Sequence, residues 1–180
     1  MQETDNLGDA ASTAQRAEAF RRVAEGSLHD AYRLAGAILG SSTDARDAVH
    51  DAFILGWRRY PSLRDPSKFD SWFKRIIVNT CRERLRHGAR RKSSDIESHA
   101  NLPALDPSQG VHDRVLVQDA LLQLKPEDRI VLALRYYRDL KVDDIAAILD
   151  VPPGTVKSRL NHAHSRLRAA VERSQSGGGS

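Results

Sequence analysis

The stretch LKVDDIAAILDVPPGTVKSRLNHAHSRLRAAV, residues 140–171, predicts two helices that are joined by a tight break. Its first half places three aliphatic side chains at helical spacing, Ile145, Ile148 and Leu149. The Pro-Pro-Gly segment at 152–154 interrupts that pattern, because proline lacks the backbone N–H that a helix interior needs. A second helix is therefore expected to begin near Thr155.

The second of these helices has two contrasting faces. One face is an apolar stripe that must lie on the first helix, formed by Val156, Leu160, Ala163 and Leu167. The opposite face carries short polar side chains that can reach base edges, Ser158, Asn161, His162 and Ser165. Cations that can meet phosphates flank this polar face, Lys157, Arg159, Arg166 and Arg168. The pattern is typical of a DNA-binding helix-turn-helix, although periodicity alone fits an ordinary helical hairpin with a solvated basic face equally well.

A longer basic helix is predicted after the loop that Pro61 and Pro66 bracket. Its inner side supplies core residues, Phe69, Phe73, Ile76, Ile77 and Thr80. A positive stripe runs along another side, formed by Lys68, Trp72, Arg75, Asn79, Arg82 and Arg86. Cations that hold a backbone, interleaved with an aromatic ring and an amide, suit single-stranded DNA. The spacing fits Trp72 equally well as a half-buried core residue.

The charge of the chain is concentrated rather than spread. The formal net charge is +4, yet the segment 68–92 contains nine Lys or Arg against two acidic residues. The following segment, 93–111, contains no Lys or Arg at all. Concentrated positive charge suggests a polyanionic partner, most commonly nucleic acid, and a basic surface that only maintains solubility fits a single patch nearly as well.

Several classes of site and location are excluded by what the sequence lacks. The single cysteine, Cys81, rules out an internal disulfide and a multi-cysteine zinc site, and a buried small residue is the expected role. His162 and His164 are two positions apart, so on a helix they cannot chelate one ion. With no catalytic motif, we predict neither a metal, nor a cofactor, nor an enzyme activity. No apolar run approaches the roughly 20 residues that span a bilayer, so we expect a cytoplasmic protein without membrane insertion.

Two segments resemble one protein family. The string LDVPPGTVKSRLNHAHSRLR, preceded by LALRYYRDLKVDDIA, resembles region four of bacterial RNA polymerase sigma factors of the extracytoplasmic-function kind. Upstream, DARDAVHDAFILGWRRYPSLRDPSKFDSWFKRIIVNTCRERLRH resembles region two of the same family, in the expected order. The resemblance implies an all-α fold of two small helical domains that a flexible linker joins. The expected division is a disordered lead-in at 1–12, region two at 13–90, the linker at 91–110, region four at 111–173 and a flexible tail at 174–180.

The resemblance also implies partners and roles. It implies a sigma factor that binds core RNA polymerase and directs promoter-specific initiation, is a monomer when free, and has an anti-sigma factor as a further partner. The residues implied to contact core polymerase are Asp47, His50, Asp51 and Ile54, of which His50 departs from the amide-bearing residue expected there. Region two would melt the minus-ten element with Lys68, Trp72, Arg75, Asn79, Arg82 and Arg86. Region four would bind the minus-thirty-five element with Thr155, Lys157, Ser158, Arg159, Asn161, His162 and Arg166.

Two other functions remain open at this stage. A helix-turn-helix repressor or activator that binds duplex DNA without polymerase explains the second half of the chain. It leaves the stripe that contains Trp72, Asn79 and Arg82 without a role. A protein whose helices only engage a regulatory partner is the other alternative, and it should show no salt-dependent DNA binding.

Overall fold

The computed structural model describes residues 3–91 and 119–176, and every regular element within these ranges is helical. The first part contains α1 (Glu3–Leu39), α2 (Ser42–Arg59) and α3 (Phe69–Arg91), with short 3-10 turns at Tyr60–Ser62 and Pro66–Lys68. The second part contains a helical segment at 119–122, followed by α4 (Pro126–Arg138), α5 (Val142–Leu149) and α6 (Pro153–Ser176). The predicted all-α class is confirmed.

The helix ends of the first domain differ from the sequence predictions. Helix α1 begins at Glu3, whereas a disordered lead-in was predicted for 1–12, and no proline interrupts the helix in this segment. It passes through Gly26 without interruption. It ends at Leu39, and the following Gly40 has a φ of 74°, which suits glycine. Ser41 caps α2, because its extended backbone lets the hydroxyl accept from the Asp44 N–H at 3.2 Å.

An aromatic cluster forms the core between α1, α2 and α3. Phe73 is only 1% exposed, and its ring stacks on that of Phe69 with centroids 5.4 Å apart. Phe53 of α2 and Phe20 of α1 complete the cluster, the former 4.8 Å from Phe73 and the latter 6.0 Å from Phe69. Gly56 allows the close approach of these helices, since an added Cβ would lie 3.1 Å from the Phe73 ring. The predicted inner side of α3 is therefore confirmed.

The second domain contains the predicted helix-turn-helix. Helix α5 ends at Leu149 and is followed by Asp150 in the left-handed conformation, with φ of 58°. Helix α6 begins at Pro153, two residues before the predicted start near Thr155. Proline suits the first position of a helix, because its missing N–H has no intrahelical partner there. The predicted apolar stripe is buried at Val156, Leu160 and Ala163, and Leu167 is partly buried against the core.

The two domains pack against each other. Helix α1 contacts α4, and α3 contacts both α5 and α4. Leu122 lies so close to Gly40 that a Cβ there would clash with its side chain. Most of the buried hydrophobic residues of both domains belong to one hydrophobic cluster. The predicted linker lies outside the described residues apart from Arg91, which ends α3, and α6 extends to Ser176, beyond the predicted domain end at residue 173.

Candidate nucleic-acid interface

Helix α6 presents most of its predicted DNA-binding side chains to solvent. Lys157, Ser158, Asn161 and His162 are exposed, whereas Thr155 is half-buried. They lie opposite the buried stripe that begins at Val156, because successive residues of a helix turn by about 100°. The polar face therefore has the shape expected of a helix that enters a DNA groove.

Two arginines of α6 are instead held by acidic residues of α4. Arg166 forms an ion pair with Asp128, whose side chain is only 7% exposed. Arg159 lies 3.5 Å from Glu127, measured between Nη1 and Oε2. Removing Arg166 would leave a buried carboxylate without this partner, so this residue stabilises the packing of α4 on α6. The structure thus gives both arginines a contact that the sequence did not predict.

The stripe on α3 likewise contains both solvent-exposed residues and residues that are held by contacts within the protein. Lys68, Asn79 and Arg86 are exposed, while Trp72 is half-buried with its ring 5.6 Å from that of Phe69. Trp72 therefore supports the core and retains an exposed part. The other two cations of the stripe contact the second domain, as Arg75 lies 2.6 Å from Asp150 and Arg82 lies 2.8 Å from Glu127.

A cleft of about 200 Å³ opens between α2 and α3 beside this stripe. Apolar side chains form part of its lining, and its polar lining comprises Arg59, Asn79, Thr80, Arg82, Glu83 and Arg86. The Asn79 amide oxygen is 3.4 Å from Arg82 Nη1, from which it accepts a hydrogen bond. Sequence reasoning missed Arg59, because this residue is on a different helix and only the packing of α2 on α3 brings it to the stripe.

The predicted polymerase-binding face lies on α2. Asp47, His50 and Ile54 are exposed, and Asp51 is half-buried. Arg84 of α3 reaches this face, with its guanidinium 2.5 Å from Asp51 and 3.5 Å from Asp47. Burial lowers the pKa of Arg84, but the hydrogen bond to Asp51 and the nearby carboxylates outweigh it and leave that pKa above its ordinary value. Arg84 therefore remains charged and orients two of the predicted contact residues.

Cys81 lies on α3 and is completely buried. Burial raises the pKa of its thiol to about 12, and the positive charge of Arg84 opposes this only in part. The predicted role of a buried small residue is confirmed. A thiol in this environment is protonated at neutral pH and is a poor nucleophile.

Comparison with known proteins identifies the family. Sigma-70 region 2 matches residues 24–91, and Sigma-70 region 4 matches residues 114–167. The ECF RNA polymerase sigma factor SigM of Mycobacterium tuberculosis is 33% identical over 158 residues, which cover 88% of this chain and 80% of SigM. The chain belongs to the extracytoplasmic-function family of RNA polymerase sigma factors. The RNA polymerase sigma-E factor of Streptomyces avermitilis is a further relative, 32% identical over 78% of each chain.

The architecture of this sigma factor also matches a solved structure. The sigma factor RpoE of Bartonella quintana, solved in complex with the anti-sigma factor NepR, superposes with a TM-score of 0.72 at 25% identity. The match covers 85% of this chain and 96% of that one. The resemblance drawn from the sequence is confirmed, and so is the function at the level of the family, promoter-specific initiation of transcription by RNA polymerase. The family assignment disfavours a regulator that acts without polymerase and a protein that engages only a regulatory partner.

The described residues contain neither a candidate metal site nor a candidate membrane-spanning helix. Among residues 3–91 and 119–176, no group of histidine, cysteine, aspartate or glutamate side chains could hold a metal ion. Within the same ranges, no helix has the length and apolarity needed to cross a membrane.

Proposed function

We propose that this sigma factor divides promoter recognition between its two domains. Helix α6 reads the minus-thirty-five element as duplex, and α3 captures one strand of the melted minus-ten element. One observation carries this division. In each domain, a helix presents a polar face with cations to solvent and packs its apolar face into the core. The protein acts as a non-catalytic factor in the cytoplasm, where core polymerase supplies the chemistry.

Binding to core polymerase is assigned to the outer face of α2. Ile54 is 39% exposed although it is a large apolar residue, and the acidic residues beside it are held in place by Arg84. An exposed apolar residue flanked by charged side chains in fixed positions is a suitable centre for a protein interface. Asp47, His50, Asp51 and Ile54 would contact the polymerase.

An anti-sigma factor is the second proposed protein partner. The structural neighbour from Bartonella quintana was solved with one, and the two chains share their two-domain architecture. In this proposal the anti-sigma factor covers faces that polymerase or DNA would otherwise use.

In vitro transcription tests the proposal. Purified protein is added to bacterial core polymerase on a library of genomic fragments, and the transcript starts are sequenced. We expect new starts that share two spaced upstream elements. If no start depends on the protein while core polymerase and a reference sigma factor are active in the same reaction, the proposed function is wrong.

The minus-thirty-five assignment predicts different effects for two neighbouring residues of α6. Lys157→Ala should weaken binding to all duplexes alike and reduce the salt slope of log K by about one, because Lys157 would hold a phosphate. Asn161→Ala should instead cost roughly 1–3 kcal/mol at one base position, because its amide would read a base edge. Both variants are titrated with labelled duplexes that carry single base changes. Each variant serves as the control for the other. Identical profiles for the two variants would contradict the assignment.

The cleft predicts a role for Arg59. Its guanidinium lines the same cleft as Asn79 and Arg86, so it can hold a phosphate of the captured strand. Arg59→Ala should lower the affinity for a labelled single-stranded minus-ten oligonucleotide roughly three- to tenfold and its salt slope by about 0.7. Arg58→Ala is the matched control, because Arg58 is also exposed but lies outside the cleft lining. Equal losses in both variants would indicate a general charge effect rather than a contact.

A further inference from the structure

The cleft between α2 and α3 contains one acidic side chain among its cations, that of Glu83. The rest of its polar lining consists of three arginines, an asparagine and a threonine. Glu83 is exposed and lies one helical turn from both Asn79 and Arg86 on α3. Within the part of the chain that the structure describes, its carboxylate forms neither an ion pair nor a hydrogen bond. Both of its oxygens can therefore accept from a ligand in the cleft.

The size and walls of the cleft suit a single base. Leu55 and Ile76 supply its apolar lining, and Ile76 is only 5% exposed. The volume of about 200 Å³ is below the roughly 300–1,000 Å³ of pockets for drug-sized ligands. An unpaired base can leave its stack, enter a pocket between apolar side chains and expose its Watson–Crick edge to polar groups. All described lining residues belong to α2 or α3, so the cleft stays open beside the second domain.

The polar groups of the cleft are not equivalent. The Thr80 hydroxyl donates to the Ile76 carbonyl at 3.0 Å, within α3 itself. The Asn79 amide oxygen accepts from Arg82 Nη1 at 3.4 Å, which leaves the amide N–H groups to donate to a ligand. Glu83 differs from both, because an ionised carboxylate can only accept. The cleft thus offers one charged acceptor next to several donors.

We propose that the cleft takes one unpaired base of the minus-ten strand and that Glu83 selects cytosine over thymine at this position. The inference rests on the minus-ten role proposed above for α3. The N4 amine of cytosine would donate to Glu83, while its N3 and O2 would accept from the neighbouring donors, Asn79 and Arg86. Thymine has the O4 oxygen in place of that amine, and two acceptors repel each other. Carboxylates are known to read cytosine through this amine.

The negative charge has a cost that only selectivity explains. A carboxylate on a strand-binding face repels phosphates, so Glu83 lowers the affinity of this face for every strand. It does not neutralise a particular arginine either, since none of those in the cleft lies within ion-pair distance of it. A group that penalises the wrong base provides specificity at the expense of affinity. Glu83 is therefore a specificity-determining residue, whereas the cations of the stripe supply affinity.

The test compares two oligonucleotides on the full chain at low salt. Both are short fluorescein-labelled oligothymidylates, whose central nucleotide is deoxycytidine in one and deoxyuridine in the other. These two bases differ only at positions 3 and 4 of the ring, where the proposed contact lies. By fluorescence anisotropy, we expect the wild type to bind the deoxycytidine strand roughly three- to tenfold more tightly, as for a partly exposed hydrogen bond to a charged group.

Glu83→Gln should bind the two strands equally. Glutamine keeps the size of the side chain, but its amide can accept from cytosine or donate to uracil, so it no longer discriminates. Glu25→Gln is the matched control, because it removes the same charge from an exposed position on α1, outside the cleft lining. This control should retain the preference of the wild type. Circular dichroism verifies that both variants keep their helix content.

The failures of the two proposals are distinguishable. Salt-dependent binding without a preference in the wild type would overturn the role of Glu83 and leave the minus-ten role of α3 intact. A preference that persists in Glu83→Gln would overturn it in the same way. Loss of the preference in Glu25→Gln as well would attribute it to net charge and also overturn the inference. If the wild type bound neither strand, the minus-ten role itself would be contradicted, and the inference with it.

Discussion

Phe73→Ala is expected to lower the free energy of unfolding by about 3–5 kcal/mol, because truncating a buried phenylalanine loses its burial and leaves a cavity. Phe73 is 1% exposed, stacks on Phe69 at 5.4 Å and contacts Phe53 at 4.8 Å. The glycine at position 56 has no side chain to move into the space, and the helix backbones around it are fixed by the other aromatic contacts. The site can therefore collapse only partly.

Urea denaturation followed by circular dichroism measures this loss. Ile54→Ala is the matched control, because Ile54 is a large apolar residue of the same domain with 39% of its surface exposed. Its free energy of unfolding should change by no more than about 0.5 kcal/mol, as for most surface substitutions. A loss below about 1 kcal/mol in Phe73→Ala would show that the α2–α3 contact is not the centre of this core. Minus-ten binding should fall together with stability, since Phe73 holds the helix that carries the α3 stripe.

Local periodicity was enough to predict the faces of the helices. Val156, Leu160 and Ala163 are buried as their spacing predicts, because a helix of any origin turns by the same angle per residue. Asn161 and His162 are exposed for the same reason. These features depend on neighbours within a turn or two of the chain.

The exact ends of the helices depend on small free-energy differences that the sequence alone does not reveal. Ser41 and Thr43 are both suitable capping residues, and only the backbone geometry after Gly40 decides in favour of Ser41. Gly26 costs an exposed helix about 1 kcal/mol relative to alanine, which the surrounding helix-forming residues and the packing of α1 offset. Proline at residue 153 was read as part of the break, although it suits the first turn of α6.

Contacts between residues distant in sequence could not be predicted at all. No pattern around Arg82 indicates that it pairs with Glu127, 45 residues away. Arg166 was assigned to a phosphate by its place on α6, and the structure adds an ion pair with the buried Asp128. A basic residue on a helix surface therefore predicts a need for negative charge, but the sequence does not say whether DNA or another helix supplies it.

The acidic residues at the start of α4 interact both with the positive end of their own helix and with arginines of other helices. Glu127 and Asp128 lie in the first turn of α4, where they stabilise the positive end of the helix. Their side chains also lie within reach of three arginines of the predicted DNA-binding faces, Arg82, Arg159 and Arg166. The helix end thus places its two carboxylates where they meet both of these faces.

The Cys81 thiol is expected to react with iodoacetamide at pH 8 on the order of a thousandfold more slowly than an exposed thiol, because its thiolate is that much scarcer. The cause is burial, which raises the pKa of Cys81 to about 12. The double variant Cys81→Ser/Ala147→Cys is the control, since residue 147 is exposed on α5 and presents one thiol to solvent. Unfolding the wild type in urea should restore the ordinary rate. Fast alkylation of the folded wild type would show that α3 opens readily at this position.

The raised pKa of Cys81 also contributes to the loss of stability at alkaline pH. At pH 7 the thiol is neutral in the folded and unfolded chains, so its burial carries no electrostatic cost. Above the ordinary thiol pKa the unfolded chain loses this proton and the folded chain keeps it. The free energy of unfolding should then fall by up to about 1.4 kcal/mol per pH unit until the pH reaches the folded pKa of about 12. Cys81→Ala removes the contribution of the thiol to this slope, while all other groups still titrate. The difference in the free energy of unfolding between the two proteins, measured by urea denaturation at alkaline pH, therefore isolates that contribution. Parallel curves for the two proteins above pH 9 would contradict the burial of the thiol.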